Sequence, residues 1–115
     1  MPKIWTLGHP SIRTEFEYSG DVSKGVILHF SSNPHISSEF FQAILNEFRG
    51  RTIKGGFSMT DPISGGLGEW IQNNSKPINP INLTPRHGSF IAAILVHEGF
   101  ITSNLVGNRV YLNFP

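Results

Sequence analysis

A chain of 115 residues with 38% hydrophobic residues is long enough to form one domain with its own apolar core. Its formal net charge of +1 gives no overall attraction to nucleic acid or to an anionic membrane surface, so such binding requires a local cluster of charges. The absence of cysteine excludes disulfides, thiol nucleophiles and thiolate metal ligands. No apolar run approaches the roughly 20 residues that a membrane-spanning helix needs, and we expect a single cytoplasmic domain over residues 1–115.

The first 35 residues predict a small antiparallel β-unit. The segment IRTEFEY alternates, with Phe16 and Tyr18 on one face and Glu15 and Glu17 on the other. KIWTL before it and VILHF after it are short apolar segments of strand length. The turn-rich connector SGDVSKG separates the last two segments, as expected between neighbouring strands.

The segment HISSEFFQAILNEFRG predicts a helix from about Ser38 to Arg49. Ser37 is a favourable N-cap, and Gly50 is a natural stop. The apolar residues fall at helical spacing and form one stripe, which we expect to bury Phe41, Ile44, Leu45 and Phe48.

The middle of the chain predicts a strand near residues 56–59, a glycine-rich loop and a second helix in LGEWIQNN. The segment SKPINPIN follows LGEWIQNN, and we expect its prolines to keep it out of a helix. Thr84 and Pro85 then suit the N-cap and first position of a third helix, which we expect to end at Gly99.

The pair Gly107-Asn108 predicts a two-residue turn between two strands at the end of the chain. Closing the chain there places Leu105 opposite Val110 and Ser103 opposite Leu112. This register puts the apolar side chains on one face, where we expect burial of Ile101, Leu105, Val110, Leu112 and Phe114.

From Ser37 onward, the expected order is helix, short strand, short helix, longer helix and hairpin. This order resembles the winged helix-turn-helix, and Leu95, Gly99, Phe100 and Ile101 match the pattern with which its recognition helix leads into the wing. The connection NSKPINPIN is longer than the turn of about three to four residues usual in such units. The resemblance implies an α+β fold, a β-unit over 1–35 followed by a winged-helix-like part over 36–115.

The resemblance also implies binding to nucleic acid, most simply a regulatory role on DNA, by a protein that could act as a homodimer. At 100° per residue, Arg86, Ser89, Ala93 and His97 lie on the helix face opposite the apolar stripe, where a recognition helix contacts DNA. Small residues on a helix also suit close packing against another element, and that alternative stays open at this point.

Three further basic residues complete the predicted nucleic-acid-binding set. Arg109 lies next to the hairpin turn, where it could contact a phosphate or serve as a charge that protects an exposed strand edge. Arg51 and Lys54 follow the first helix, whose C-terminus favours cations in any case.

Two other functions are compatible with the sequence. A protein–protein interaction module could use a patch of Trp5, Phe100 and Tyr111, since aromatic residues are enriched in interfaces. A small enzyme could hold an anion at Thr84–His87, at the start of the third helix. The five histidines match no zinc spacing, so we expect no metal, no cofactor and no catalytic residue.

Overall fold

The computed structural model describes residues 3–7, 14–29, 33–57, 63–78, 83–106 and 109–115. These residues form two antiparallel sheets and three α-helices, with one sheet at each end of the chain. The expected α+β fold class, with an N-terminal antiparallel β-unit and a C-terminal hairpin, is confirmed.

The N-terminal sheet contains β1 (Lys3–Trp5), β2 (Glu15–Asp21), β3 (Gly25–His29) and β4 (His35–Ile36) in that spatial order. The strand register places Ile4 beside Phe16, and Tyr18 beside Leu28. Alternation therefore sends one set of side chains into the core and the other to solvent, as expected for a sheet covered on one face.

Helix α1 (Ser38–Phe48) begins where the sequence predicts, because the Ser37 Oγ accepts a hydrogen bond from the Phe40 N–H at 3.1 Å. Its buried side chains are Phe40, Phe41, Ile44 and Phe48, while Leu45 is only partly buried. Helix α2 (Leu67–Ile78) extends past the predicted end and includes Pro77. The prediction that the prolines of SKPINPIN exclude a helix is therefore wrong for residues 75–78, where Pro77 lies in the last turn and only its own backbone N–H is missing from the helix.

The C-terminal sheet contains β5 (Thr52–Lys54), β6 (Thr102–Val106) and β7 (Arg109–Asn113) in the order β5-β7-β6. The predicted strand near 56–59 is wrong as far as the described residues reach: β5 lies closer to α1, where Ile53 pairs with Leu112 and joins the core.

The hairpin register is confirmed: Leu105 pairs with Val110, and Ser103 pairs with Leu112. Its turn, residues 107–108, lies outside the described residues. Burial was predicted for Leu105 and is wrong, because that side chain is 44% exposed, and Val110 is only partly buried. The core ends at Leu112, and burial decreases from there toward the turn.

Helix α3 (Gly88–His97) follows a 3₁₀ turn at Pro85–His87 and lies in the centre of the apolar core. Both sheets and all three helices contribute side chains to that core. Seven of the ten residues of α3 are buried: Gly88, Phe90, Ile91, Ala92, Ala93, Ile94 and Leu95. In the part of the chain that the structure describes, each helix is too short or too polar to cross a bilayer.

The cap of α1 gives a test of the fold. Ser37→Ala removes the acceptor for the Phe40 N–H, and we expect the free energy of unfolding to fall by about 1 kcal/mol in urea titrations. Ser38→Ala is the matched control, because Ser38 is the first residue inside the helix and caps nothing. Equal losses in the two variants would contradict the role of Ser37.

Candidate nucleic-acid interface

The N-terminal sheet covers one face of α3. The Phe16 and Phe90 rings meet edge to face with centroids 4.7 Å apart, and the Leu7 N–H donates to the Ser89 carbonyl at 3.3 Å. Ala93 is 4% exposed. The prediction that this face points outward is therefore wrong at Ala93, because that side chain is buried and the N-terminal sheet packs against α3.

Glu98, just after α3, joins the helix to the N-terminal sheet. Its two carboxylate oxygens accept hydrogen bonds from the Tyr18 hydroxyl at 2.7 Å and from the Val22 N–H at 3.0 Å. Burial and the neighbouring Glu98 carboxylate raise the pKa of Tyr18, so its hydroxyl stays protonated as a donor. His97 is exposed, and its ring meets Tyr18 edge-on at 6.4 Å. Both residues at the end of α3 are thus part of this junction.

Arg86 and Ser89 lie at the start of α3. Arg86 is exposed, while Ser89 is half-buried and its hydroxyl donates to the Arg86 carbonyl at 3.0 Å. Ser89 is therefore engaged with its own backbone turn. Arg86, in the turn before α3, exposes its guanidinium to solvent.

His87 closes the turn before α3 as a neutral imidazole. Its Nδ1 accepts the Thr84 N–H at 3.0 Å, and the Thr84 Oγ1 lies 2.9 Å from the same nitrogen. Burial and then the nearby Arg86 charge lower the pKa of His87. The Thr84 N–H, at the predicted anion site of Thr84–His87, therefore already donates to His87.

The outer face of the C-terminal sheet brings two predicted basic residues together. The register places Lys54 opposite Tyr111, and Tyr111 opposite Asn104. Arg109 lies two residues before Tyr111 on β7 and so faces the same way. Arg109 is exposed, and Lys54 and Tyr111 are partly exposed, which leaves a tyrosine between two cations on one open face.

A row of polar side chains orders the rest of this outer face. The Thr52 hydroxyl donates to the Asn113 Oδ1 at 2.9 Å, and the Asn113 Nδ2 donates to the Asn104 Oδ1 at 3.1 Å. The bonds run across β5, β7 and β6 in turn. This part of the outer face is consequently polar, whereas Val106 on the same face is an exposed apolar side chain.

Charge distinguishes the two sheets. Strands β5, β6 and β7 contain Lys54 and Arg109 but no aspartate or glutamate. The outer face of the N-terminal sheet carries Glu15 and Glu17, the latter 3.9 Å from the Lys3 ammonium. The strands of the C-terminal sheet thus carry a net positive charge, and the described strands of the N-terminal sheet carry a net negative one.

The predicted basic residues differ in whether they form an ion pair with a carboxylate. Arg51 lies 3.9 Å from the Glu47 carboxylate, and its guanidinium stacks over the Phe48 ring at 5.3 Å. Lys54, Arg86 and Arg109 form no ion pair with a described residue. Of the predicted nucleic-acid-binding residues, these three are therefore the cations that no described carboxylate neutralises.

Phe57 packs between the end of β5 and the start of α3. Its ring packs against both Gly55, which follows Lys54, and Gly88, which begins α3. A Cβ at Gly88 would lie 2.8 Å from the Phe57 ring, so glycine is needed there.

Tyr111 and Asn104 were not predicted as nucleic-acid-binding residues, although the alternation of the hairpin already placed them on one face. The aromatic residues expected for a protein partner belong to two regions, with Trp5 in the N-terminal sheet and Phe100 and Tyr111 in the C-terminal hairpin region. Within the described ranges, no three histidine or carboxylate side chains lie where they could hold a metal ion.

Comparison of the chain with protein-family models, with curated proteins and with solved structures found no significant match.

The Tyr18–Glu98 bond gives a test of the junction between α3 and the N-terminal sheet. We expect Tyr18→Phe to lower the free energy of unfolding by about 1.5 kcal/mol, since the acceptor is a charged carboxylate. Glu98→Ala combined with Tyr18→Phe should cost less than the sum of the two single changes, because each single change already removes the Tyr18–Glu98 bond. Tyr111→Phe is the control, as the Tyr111 hydroxyl has no hydrogen bond to a described residue; strict additivity would contradict the coupling.

The neutral state of His87 predicts a pH-dependent stability. Its pKa is lower in the folded chain than the ordinary value of about 6.5, so the unfolded chain binds more protons at mildly acidic pH. The free energy of unfolding should hence be highest above that value and fall as the pH decreases through the folded pKa. His87→Gln keeps an acceptor for the Thr84 N–H and should remove this part of the loss, measured by urea titrations at several pH values. His29→Gln, on the exposed face of β3, should retain it.

Proposed function

We propose that this protein binds nucleic acid through the outer face of its C-terminal sheet. Lys54 and Arg109 contact phosphates in this proposal, and Tyr111 between them stacks on a base. The observation that carries it is the juxtaposition of these three side chains on one polar sheet face whose strands contain no acidic residue.

A sheet face suits single-stranded nucleic acid better than duplex. Bases that are not paired can stack on an exposed aromatic ring, and every base offers such a face. A duplex would need an element that enters a groove, and α3 is packed on the side that was expected to do so. We therefore propose a single strand as the preferred ligand, with weaker binding of duplex DNA.

Arg86 has a secondary role in this proposal. It is exposed in the turn before α3, and in this proposal it holds a further phosphate of the same strand. Arg51 contributes less, because its guanidinium is already shared with Glu47 and Phe48. Ser89 and His97 face the N-terminal sheet and have no direct role.

The winged helix-turn-helix remains a proposal for the architecture of residues 36–115. Its support is the element order α1, β5, α2, α3, β6, β7, with a hairpin in the expected register. The N-terminal sheet is then an addition that covers α3, and the whole chain acts as one domain around a shared core. Such a module would use the hairpin side rather than the helix face.

The test is fluorescence anisotropy with a labelled mixed-sequence single strand and the matching duplex at two salt concentrations. We expect the single strand to bind more tightly than the duplex, with an affinity that falls as salt rises. Lys54→Ala and Arg109→Ala should each reduce the slope of log Kd against log salt by about 0.7. Tyr111→Ala should weaken single-strand binding by about 1–3 kcal/mol, whereas Tyr111→Phe should retain it.

Lys24→Ala is the matched control, because Lys24 is an exposed cation on the turn between β2 and β3, in the other sheet. It should leave both affinities unchanged. Equal effects of Lys24→Ala and Lys54→Ala would show attraction by overall charge and not by the sheet face. The absence of salt-dependent binding to either ligand at micromolar protein would refute the proposal.

Arg86→Ala separates the two nucleic-acid hypotheses. If the sheet face binds the ligand, this change should cause a smaller loss of affinity than Arg109→Ala, with the fold intact because Arg86 is exposed. If α3 were the reading element, Arg86→Ala would cause the larger loss, and duplex would be the preferred ligand.

A further inference from the structure

Exposed apolar side chains are concentrated along β6. Of the four large apolar side chains that are exposed in the described residues, three lie on this strand or next to it: Phe100 at 38%, Leu105 at 44% and Val106 at 58%. The order β5-β7-β6 makes β6 an outer strand. On its outer side, the backbone N–H and C=O groups pair with no other strand in the described part of the chain.

The β6 edge lacks the features that usually protect an outer strand from pairing. Such strands are commonly very short or carry a charge or a proline. The other outer strands fit that rule: β5 and β1 have three residues each with one lysine, and β4 has two residues. β6 has five residues, TSNLV, with neither a charge nor a proline.

We propose that a second copy of this chain pairs with β6, antiparallel and across a two-fold axis. The register that uses the whole strand is centred on Asn104. It places Thr102 opposite Val106 of the second copy, and Ser103 opposite Leu105. Two three-stranded sheets thereby become one sheet of six strands, in an interface that uses the same surface on both copies.

The side chains of β6 are complementary to themselves in this register. Leu105 lies diagonally from both Leu105 and Ile101 of the second copy, on the face that leads into the core. Val106 lies diagonally from Phe100 of the second copy on the outer face. Diagonal neighbours of about 7–8 Å are within reach of such side chains. All three exposed apolar residues thus gain apolar neighbours, and no like charges meet along the strand.

We favour a second copy over an unrelated partner, because the side chains of β6 are complementary to those of another β6 strand. The interface is also small, at one strand of five residues on each side, which favours a reversible dimer over an obligate one. The proposal goes beyond nucleic-acid binding and does not depend on it.

Sedimentation velocity over a range of protein concentrations, without nucleic acid, tests the dimer. We expect the wild-type chain to shift from monomer to dimer as its concentration rises. Leu105→Lys should weaken the association at least about tenfold, since two added charges would meet across the axis. Gln42→Lys adds the same charge at an exposed position of α1 and should associate as the wild-type chain does.

Cysteine cross-linking tests the register, because the chain has no cysteine of its own. Asn104→Cys places two thiols directly opposite each other at a Cα separation of about 4.5–5.5 Å, which a disulfide can span. Thr102→Cys is on the same strand and face, yet the two copies of that residue are about 13 Å apart and should not cross-link. An equal mixture of Thr102→Cys and Val106→Cys should yield the mixed disulfide dimer.

A wild-type chain that remains monomeric at high concentration would overturn the proposal, as would Leu105→Lys associating as strongly as Gln42→Lys. Equal cross-linking of Asn104→Cys and Thr102→Cys would do the same. If circular dichroism shows that Leu105→Lys does not fold, the comparison of Asn104→Cys with Thr102→Cys tests the proposal by itself. Nucleic-acid binding with no dimer, or a dimer with no binding, identifies which of the two proposals fails.

Discussion

The contact between α3 and the N-terminal sheet determines which surfaces of this protein are exposed to a ligand. Phe16 and Phe90 supply apolar contact at one end of the junction, and Glu98 accepts two hydrogen bonds from the sheet at the other. Since these partners are some 70 to 80 residues apart along the chain, the sheet cannot leave α3 without breaking long-range contacts. The helix is in consequence a core element, and function belongs to the outer surfaces.

The sequence predicted those features that depend on neighbouring residues. The cap at Ser37 needs only a hydroxyl three residues before a free N–H, and the hairpin register follows from a two-residue turn and an alternating pattern. Such signals are local, so one sequence is enough to read them. The same local pattern also predicts which residues of the C-terminal hairpin share a face.

The errors concern elements that are distant in sequence. Ala93 has the same helical position whether solvent, DNA or a sheet lies above it, and its spacing cannot distinguish these cases. Leu105 obeys the alternation of the buried face, yet the core ends before it reaches the turn. Likewise, the pairing of Lys54 with Tyr111 required knowing that β5 lies against β7. The candidate interface was therefore predicted as separate basic residues and not as one surface.

The burial of α3 has a consequence for how this fold can diverge. In a helix-turn-helix protein, new target preferences arise by changing exposed residues of the recognition helix. Here Phe90 and Ala93 are packed, so related chains can vary them only with compensating changes of volume in the N-terminal sheet. The positions of Asn104, Arg109 and Tyr111 carry no such constraint. If the hairpin surface binds the ligand as proposed, relatives with different ligands should differ most on that surface and least on the helix, in contrast to helix-turn-helix proteins.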